Sequence, residues 1–260
     1  MTMQAAVGEL ARVSVWSLRG LGYKFGIAER GASLVTWGEV LGCGILRRMR
    51  TDEAEIGAAI RETVRRTKEP GFGYVVDACG KHLFEIGLPA IDLATAAALQ
   101  GTGRTLLERV RGLDLLPAVC AAARRDGFAL LAVEATTAPA AHRWTAVLPS
   151  ARGGLLLRDM PTGSLLDLVA ATADAGNLRE DAAKLATRVE PGAVGFLAIP
   201  CRPADEAPAR LNGAIRLAER WREANRHGLV VAAEDLRHLY DLEKRAWAPT
   251  SERSRSQAAF

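Results

Sequence analysis

Aromatic side chains are scarce in this chain: five Trp, three Tyr and six Phe, 5% of 260 residues. Alanine is abundant instead, which favours closely packed helices over a β-sandwich. The four cysteines, Cys43, Cys79, Cys120 and Cys201, stand alone with no CxxC pair. That argues against a disulfide framework, and the absence of a second Cys/His pair at zinc-like spacing argues against a metal site. No apolar run reaches membrane-spanning length. No basic start followed by an apolar stretch marks a signal peptide, so the expected compartment is the cytoplasm. Repeats and low-complexity blocks are missing too. Charge of one sign is not in excess: 34 Lys and Arg face 30 Asp and Glu, a net +4. The basic clusters Arg47, Arg48, Arg50 and Arg61, Arg65, Arg66 read as solvated helix faces. Without an aromatic-rich or zinc-bearing module beside them, nucleic-acid binding is not expected.

What is present is enough apolar sequence for a buried core, arranged as helices alternating with short strands. Helical spacing runs from Val7 to Leu18 and ends at Gly20 and Gly22. Phe25 to Met49 reads as one long helix or two short ones, because Gly42 and Gly44 each cost roughly 1 kcal/mol inside a helix. They suggest a break, or a close approach to Cys43. A helix starting at Thr51-Asp52-Glu53 is expected to reach about Thr67, and others cover Ile91 to Leu99, Leu113 to Arg125, Ser164 to Thr172, Glu206 to Arg226 and Glu234 to Trp247. Strands are expected at Tyr74–Asp77, Phe128–Glu134, Ala193–Ile199 and Leu229–Val231, with an antiparallel pair at Trp144–Leu148 and Leu155–Leu157. The predicted class is α+β: N-terminal helices plus a mixed or antiparallel sheet covered by helices. Its expected parts are a helical region 1–70, an α+β core 71–248 and a polar tail 249–260.

Three stretches hold residues capable of chemistry. Leu41-Gly42-Cys43-Gly44-Ile45-Leu46-Arg47 sets a thiol between glycines, with Arg47 one turn on if the segment is helical. A thiol near pKa ~8.5 needs a cation to act as base or nucleophile, and Arg47 could supply it; the alternative is a buried packing cysteine. Asp77-Ala78-Cys79-Gly80-Lys81-His82 follows a strand, so Cys79 beside Lys81 and His82 is either an activated thiol or part of an ordinary solvated turn. In the tail, Ser254 and Arg255 close a polar run after Pro249. Arg255 could join Arg47 in one pocket for an anionic group, or fray in solvent.

Two segments, Arg19-Gly20-Leu21-Gly22-Tyr23 continuing to Gly26-Ile27-Ala28-Glu29 and Ala248-Pro249-Thr250-Ser251-Glu252-Arg253-Ser254-Arg255, resemble a family of small bacterial proteins of unassigned function. Leu113 to Val133 adds a weaker match. The stretch Gly42-Cys43-Gly44-Ile45-Leu46-Arg47 also resembles the Asp-Ser-His-Gly-x-x-Arg motif of the type-2 malate/L-lactate dehydrogenases. Gly44 and Arg47 match it, whereas Cys43 stands where that family has its acid/base histidine, and the acidic and serine positions are lost. The resemblance implies a reduced version of that fold, a carboxylate-bearing substrate near Arg47, NAD or NADP as a possible cofactor, and a dimer.

The expected function is therefore a small-molecule metabolic enzyme acting on a carboxylate substrate, NAD(P)-linked and oxidoreductase-like. The alternatives are a non-catalytic binding protein or accessory subunit on that scaffold, or a thiol-dependent lyase, isomerase or hydrolase. Candidate catalytic residues are Cys43, Cys79 and His82; candidate substrate-binding residues are Arg47, Lys81, Ser254 and Arg255. The expected partners are a small anionic molecule and a second copy or heteromeric subunit, without nucleic acid or membrane.

Overall fold

The computed structural model describes residues 1–136, 142–150, 153–158, 160–172, 177–202 and 214–247. The chain opens with β1 (Thr2–Ala5), α1 (Val7–Gly20), α2 (Phe25–Val40), α3 (Ile45–Thr51) and α4 (Glu53–Ala59). There follow β2 (Arg65–Glu69), β3 (Gly73–Asp77), α5 (Leu83–Ala98), β4 (Gly103–Glu108), a 3-10 turn (Leu113–Leu115) and α6 (Leu116–Ala122). The second half holds β5 (Phe128–Ala135), β6 (His142–Leu148), β7 (Leu155–Arg158), α7 (Thr162–Thr172), α8 (Leu178–Ala186), β8 (Val194–Pro200) and β9 (Ala214–Arg216). It closes with α9 (Leu217–His227), β10 (Leu229–Ala232) and α10 (Ala233–Trp247).

Among the described residues eight strands form one mixed sheet in the order β2-β3-β4-β8-β5-β6-β7-β9, in which β3 and β4 run parallel and the other neighbours antiparallel. β1 and β10 form a separate antiparallel pair. Alternation along the central strands builds a core on each face. Leu130, Ala132, Val147, Leu156 and Phe196 lie on the face covered by α5 and α6, on which α2 packs in turn. Leu131, Val133, Trp144, Ala146 and Leu197 meet α7 and α8 on the other side. Each large side chain buried this way stabilises the fold by about 1.5–3 kcal/mol. Among the described residues no helix is long and apolar enough to cross a membrane.

The α+β expectation holds, and the sheet is mixed. Three details differ from the sequence reading. The expected helix from Thr51 to Thr67 stops at Ala59, and Arg65–Glu69 forms the charged outer strand β2, so the sheet begins inside the region first set apart as helical. α5 begins at Leu83 and carries Pro89 in its interior; burial of Leu83, Phe84 and Leu88 offsets the ~3 kcal/mol an internal proline costs. β1, β4, β9 and α8 are additional elements, and β9 stands inside the helix expected from Glu206 to Arg226, which begins only at Leu217. The small residues of α5 serve packing within the chain: a Cβ on Gly103 would lie 1.8 Å from the Ala94 carbonyl oxygen, so β4 and α5 touch backbone to backbone. The tail 249–260 and the start of the expected helix at Glu206 lie outside the described residues.

Candidate functional site

The turn between α2 and α3 is a pair of glycine-dependent reversals. Gly42 (φ 72°) and Gly44 (φ 65°) take left-handed conformations that side chains disfavour. Cys43 between them donates its N–H to the Gly38 carbonyl at 2.7 Å. The carboxylate of Glu39 accepts from the Leu46 N–H at 2.8 Å and so ties the start of α3 back to α2. Cys43 therefore lies in a turn, and Arg47 sits in the first turn of the helix after it. Arg47 is exposed on the outer side of α3, where Ile45 and Leu46 are buried. It was expected to share a pocket for an anionic group with Arg255, which lies outside the described residues. It makes no ion pair or hydrogen bond among the described residues.

Opposite the turn stand three strand ends. β5 places Glu134 beside Arg143 of β6, and β6 places Thr145 beside Arg158 of β7. These side chains share the sheet face that packs against α5 and α6. The 3-10 turn brings Asp114 alongside, bonded to Arg48 Nε at 2.9 Å. Between these elements lies a cleft with two lobes. The outer one, about 500 Å³, is lined by Cys43, Gly44, Arg47, Arg48, Thr51 and Asp114. The inner one, about 260 Å³, is lined by Cys43, Asp114, Glu134, Arg143, Thr145 and Arg158. Cys43, Gly42 and Asp114 border both lobes.

The cleft does not activate its thiol. Burial pushes Cys43 up to about 11; Arg158 opposes the rise, while Asp114 and Glu39 add to it. The cation that faces the thiol is thus Arg158, not Arg47, and it does not overcome desolvation. At neutral pH Cys43 is a thiol. Its alkylation by iodoacetamide at about pH 7.5 is expected to run roughly 10²-fold more slowly than that of a free cysteine, given the thiolate fraction at a pKa near 11. Mass-spectrometric timing of the labelled Cys43 peptide checks this, and labelling at the free-thiol rate would contradict it.

Cys79, Lys81 and His82 go elsewhere. Cys79, a non-glycine residue at φ 52°, borders a different cleft of about 640 Å³ with Glu55, Arg65, Arg109 and Arg111. Its Sγ is 3.3 Å from the Thr63 carbonyl oxygen and accepts from Arg109 Nη2 at 3.4 Å. Arg109 also holds Asp77, keeping that carboxyl below its usual range. Lys81 and His82, expected beside Cys79, are instead buried. The Lys81 Nζ donates to the carbonyls of Ala59 and Ile60 at 3.0 and 2.9 Å and meets Glu85 at 2.8 Å. His82 caps α5, stacks on Phe84 and is pushed by burial down to about 3, so it is neutral. Among the described residues no cluster of ligands could hold a metal ion. Ser254 and Arg255 lie outside the described residues.

Of the sequence candidates, then, Cys43 and Arg47 border one cleft. The sequence reading missed Asp114, Glu134, Arg143, Thr145 and Arg158. A faint signal existed, since Glu134 and Arg143 end apolar strands on the face whose other residues are core.

No family model and no curated protein matches the chain. Solved structures do match in fold. Malate dehydrogenase from Entamoeba histolytica superposes with a TM-score of 0.67 at 11% identity, over 96% of this chain and 99% of that one. Sulfolactate dehydrogenase from Methanocaldococcus jannaschii gives 0.62 at 12%, over 94% and 98%. Delta1-piperideine-2-carboxylate reductase from Pseudomonas syringae gives 0.56 at 12%, over 92% and 99%. At these identities the likeness is one of architecture: the chain has the α+β fold of the type-2 malate/L-lactate dehydrogenases.

Proposed function

We propose that the Cys43 cleft binds a small carboxylate-bearing molecule and that the chain is a metabolic enzyme of oxidoreductase-like type. The observation that carries this reading is the unbalanced charge of the cleft. Arg143 is matched by Glu134 and Arg48 by Asp114, which leaves Arg47 at the outer lobe without a carboxylate among the described residues. The larger lobe lies within the usual range of small-molecule sites, ~300–1,000 Å³. The fold's dehydrogenase relatives support a small acid as ligand.

A nicotinamide cofactor belongs to the same reading. Gly42 and Gly44 leave open space where side chains would stand, and Arg47 and Arg48 flank them. These residues fit a phosphate-bearing group. Such a cofactor, when bound, supplies or accepts a hydride; the chain's own residues bind the acid and hold its charge. A homodimer or heteromeric assembly is part of this proposal as well.

Cys43 favours a second reading, a binding protein or accessory subunit that kept the scaffold. A thiol titrating near 11 cannot give and take a proton near neutrality as an imidazole does. The same value moves the thiol-dependent alternative away from Cys43 and onto Cys79.

Pyruvate, oxaloacetate, NADH and NADPH, screened by thermal shift, test the proposal, because a ligand of the native state raises the melting temperature. Arg47→Lys keeps the charge but loses the planar fork. It is expected to weaken the bound acid at least about tenfold, roughly 1.4 kcal/mol, by calorimetry. Unchanged affinity would remove Arg47 from the site.

A further inference from the structure

The inner lobe contains a charge that needs explaining. Glu134 is buried, with its side chain 8% exposed, on the central strand of the sheet, in line with Leu130 and Ala132 of the core. Glutamate is seldom buried without a partner. Arg143 provides one, its Nε 2.7 Å from Oε1. A buried pair of this kind adds little to stability compared with apolar side chains of similar size, yet here it borders the proposed ligand cleft.

We propose that Glu134 is the proton-coupled group of the cleft: when a small carboxylate enters, Glu134 takes up a proton from solvent. This rests on the reading of the cleft as an anion site. The groups around Glu134 leave it as the candidate. Arg143 faces it from β6, Arg158 from β7, Asp114 from the 3-10 turn and the Cys43 thiol from the α2–α3 turn; β8 presents apolar Val194. No histidine borders the lobe among the described residues. Cys43 is already protonated through the neutral range, so a further rise in its pKa moves no proton. Burial raises Glu134 above the ordinary glutamate value, Arg143 opposes that, and Asp114 adds to it. A second anion nearby pushes in the same direction as Asp114. An anion also competes for the Arg143 guanidinium that holds the carboxylate charged. Both effects make the ligand-bound protein bind more protons than the free one. Affinity therefore rises as pH falls between the free and bound titration points, by at most about tenfold per pH unit for one proton.

Calorimetry with sodium pyruvate and with sodium oxalate at about pH 6, in buffers of different ionisation enthalpy, reads the proton directly, since both probes are already ionised there. The expected result is net proton uptake on binding, lost in E134Q with binding retained, and kept in D114N. Binding without uptake, or uptake undiminished in E134Q, overturns the assignment and leaves the anion cleft standing. Failure of both probes to bind overturns the anion reading and the inference with it. Should E134Q not fold, the carboxyl ¹³C resonance of Glu134 in the unaltered chain reports the same event. It is expected to move toward the protonated position when pyruvate is added, and an unmoved resonance in the saturated complex overturns the proposal.

Discussion

Reduction of pyruvate or oxaloacetate by NADH or NADPH is expected to run about 10²–10⁴-fold more slowly on this chain than on a type-2 malate/L-lactate dehydrogenase assayed beside it. That factor is what a positioned general acid contributes, and the position that carries it in the resembling motif holds Cys43. The thiol does border the cleft, so geometry alone does not disqualify it. Its titration does. Removal from water favours the neutral form, and the Arg158 guanidinium that opposes this is offset in part by Asp114 and Glu39. A group titrating near 11 is a weak acid toward a developing alkoxide at neutral pH, and once deprotonated it would be a thiolate in a poorly solvated place. Steady-state assays at saturating cofactor settle the matter. Turnover within tenfold of the reference enzyme would show that another group carries the proton, and Glu134 would be the first to substitute.

The parts of the fold that were legible in the sequence have strong local signals. α1 and α10 show helical apolar spacing, and the β6–β7 hairpin shows two apolar runs around a turn. The α2–α3 break shows two glycines that a helix interior would tolerate poorly, and both prove left-handed. β2 was not legible because Arg65-Arg66-Thr67-Lys68-Glu69 is an outer strand with hardly any buried surface; nothing apolar alternates there, and its charge reads as helix surface. The candidate site divides in the same way. Cys43 and Arg47 stand in one local motif and could be found. Glu134, Arg143 and Arg158 become neighbours only through the registers of β5, β6 and β7, which no local pattern fixes. Lys81 and His82 show how a dense polar cluster after a strand can also carry structure: here it caps one helix and ties down another.

Lys81→Met is accordingly expected to cost about 3–5 kcal/mol of stability, the range for breaking a buried pair from one side. The ammonium is buried, 4% exposed, and its three contacts are the carbonyls of Ala59 and Ile60 at the end of α4 and the carboxylate of Glu85. Methionine matches the length but leaves both carbonyls and the carboxylate without a donor. The loss should depend on pH, and the sign follows from Glu85. Burial raises its folded pKa, and Lys81 holds that rise down through a hydrogen bond and its charge. A carboxyl raised on folding stabilises fully below its unfolded value, and that contribution disappears as pH rises through the folded value. Without Lys81 the folded value climbs further. The deficit of the variant is therefore larger at neutral pH than near pH ~4.5, where a raised carboxyl carries less charge and the missing carbonyl bonds account for more of the loss. Adding Glu85→Gln to Lys81→Met removes the stranded charge and is expected to recover part of the loss at neutral pH and little in acid. Urea denaturation of the three chains at both pH values measures this. A Lys81→Met variant that loses less than about 1 kcal/mol, equally at both pH values, would return Lys81 to the status the sequence suggested, a cation free to meet a ligand.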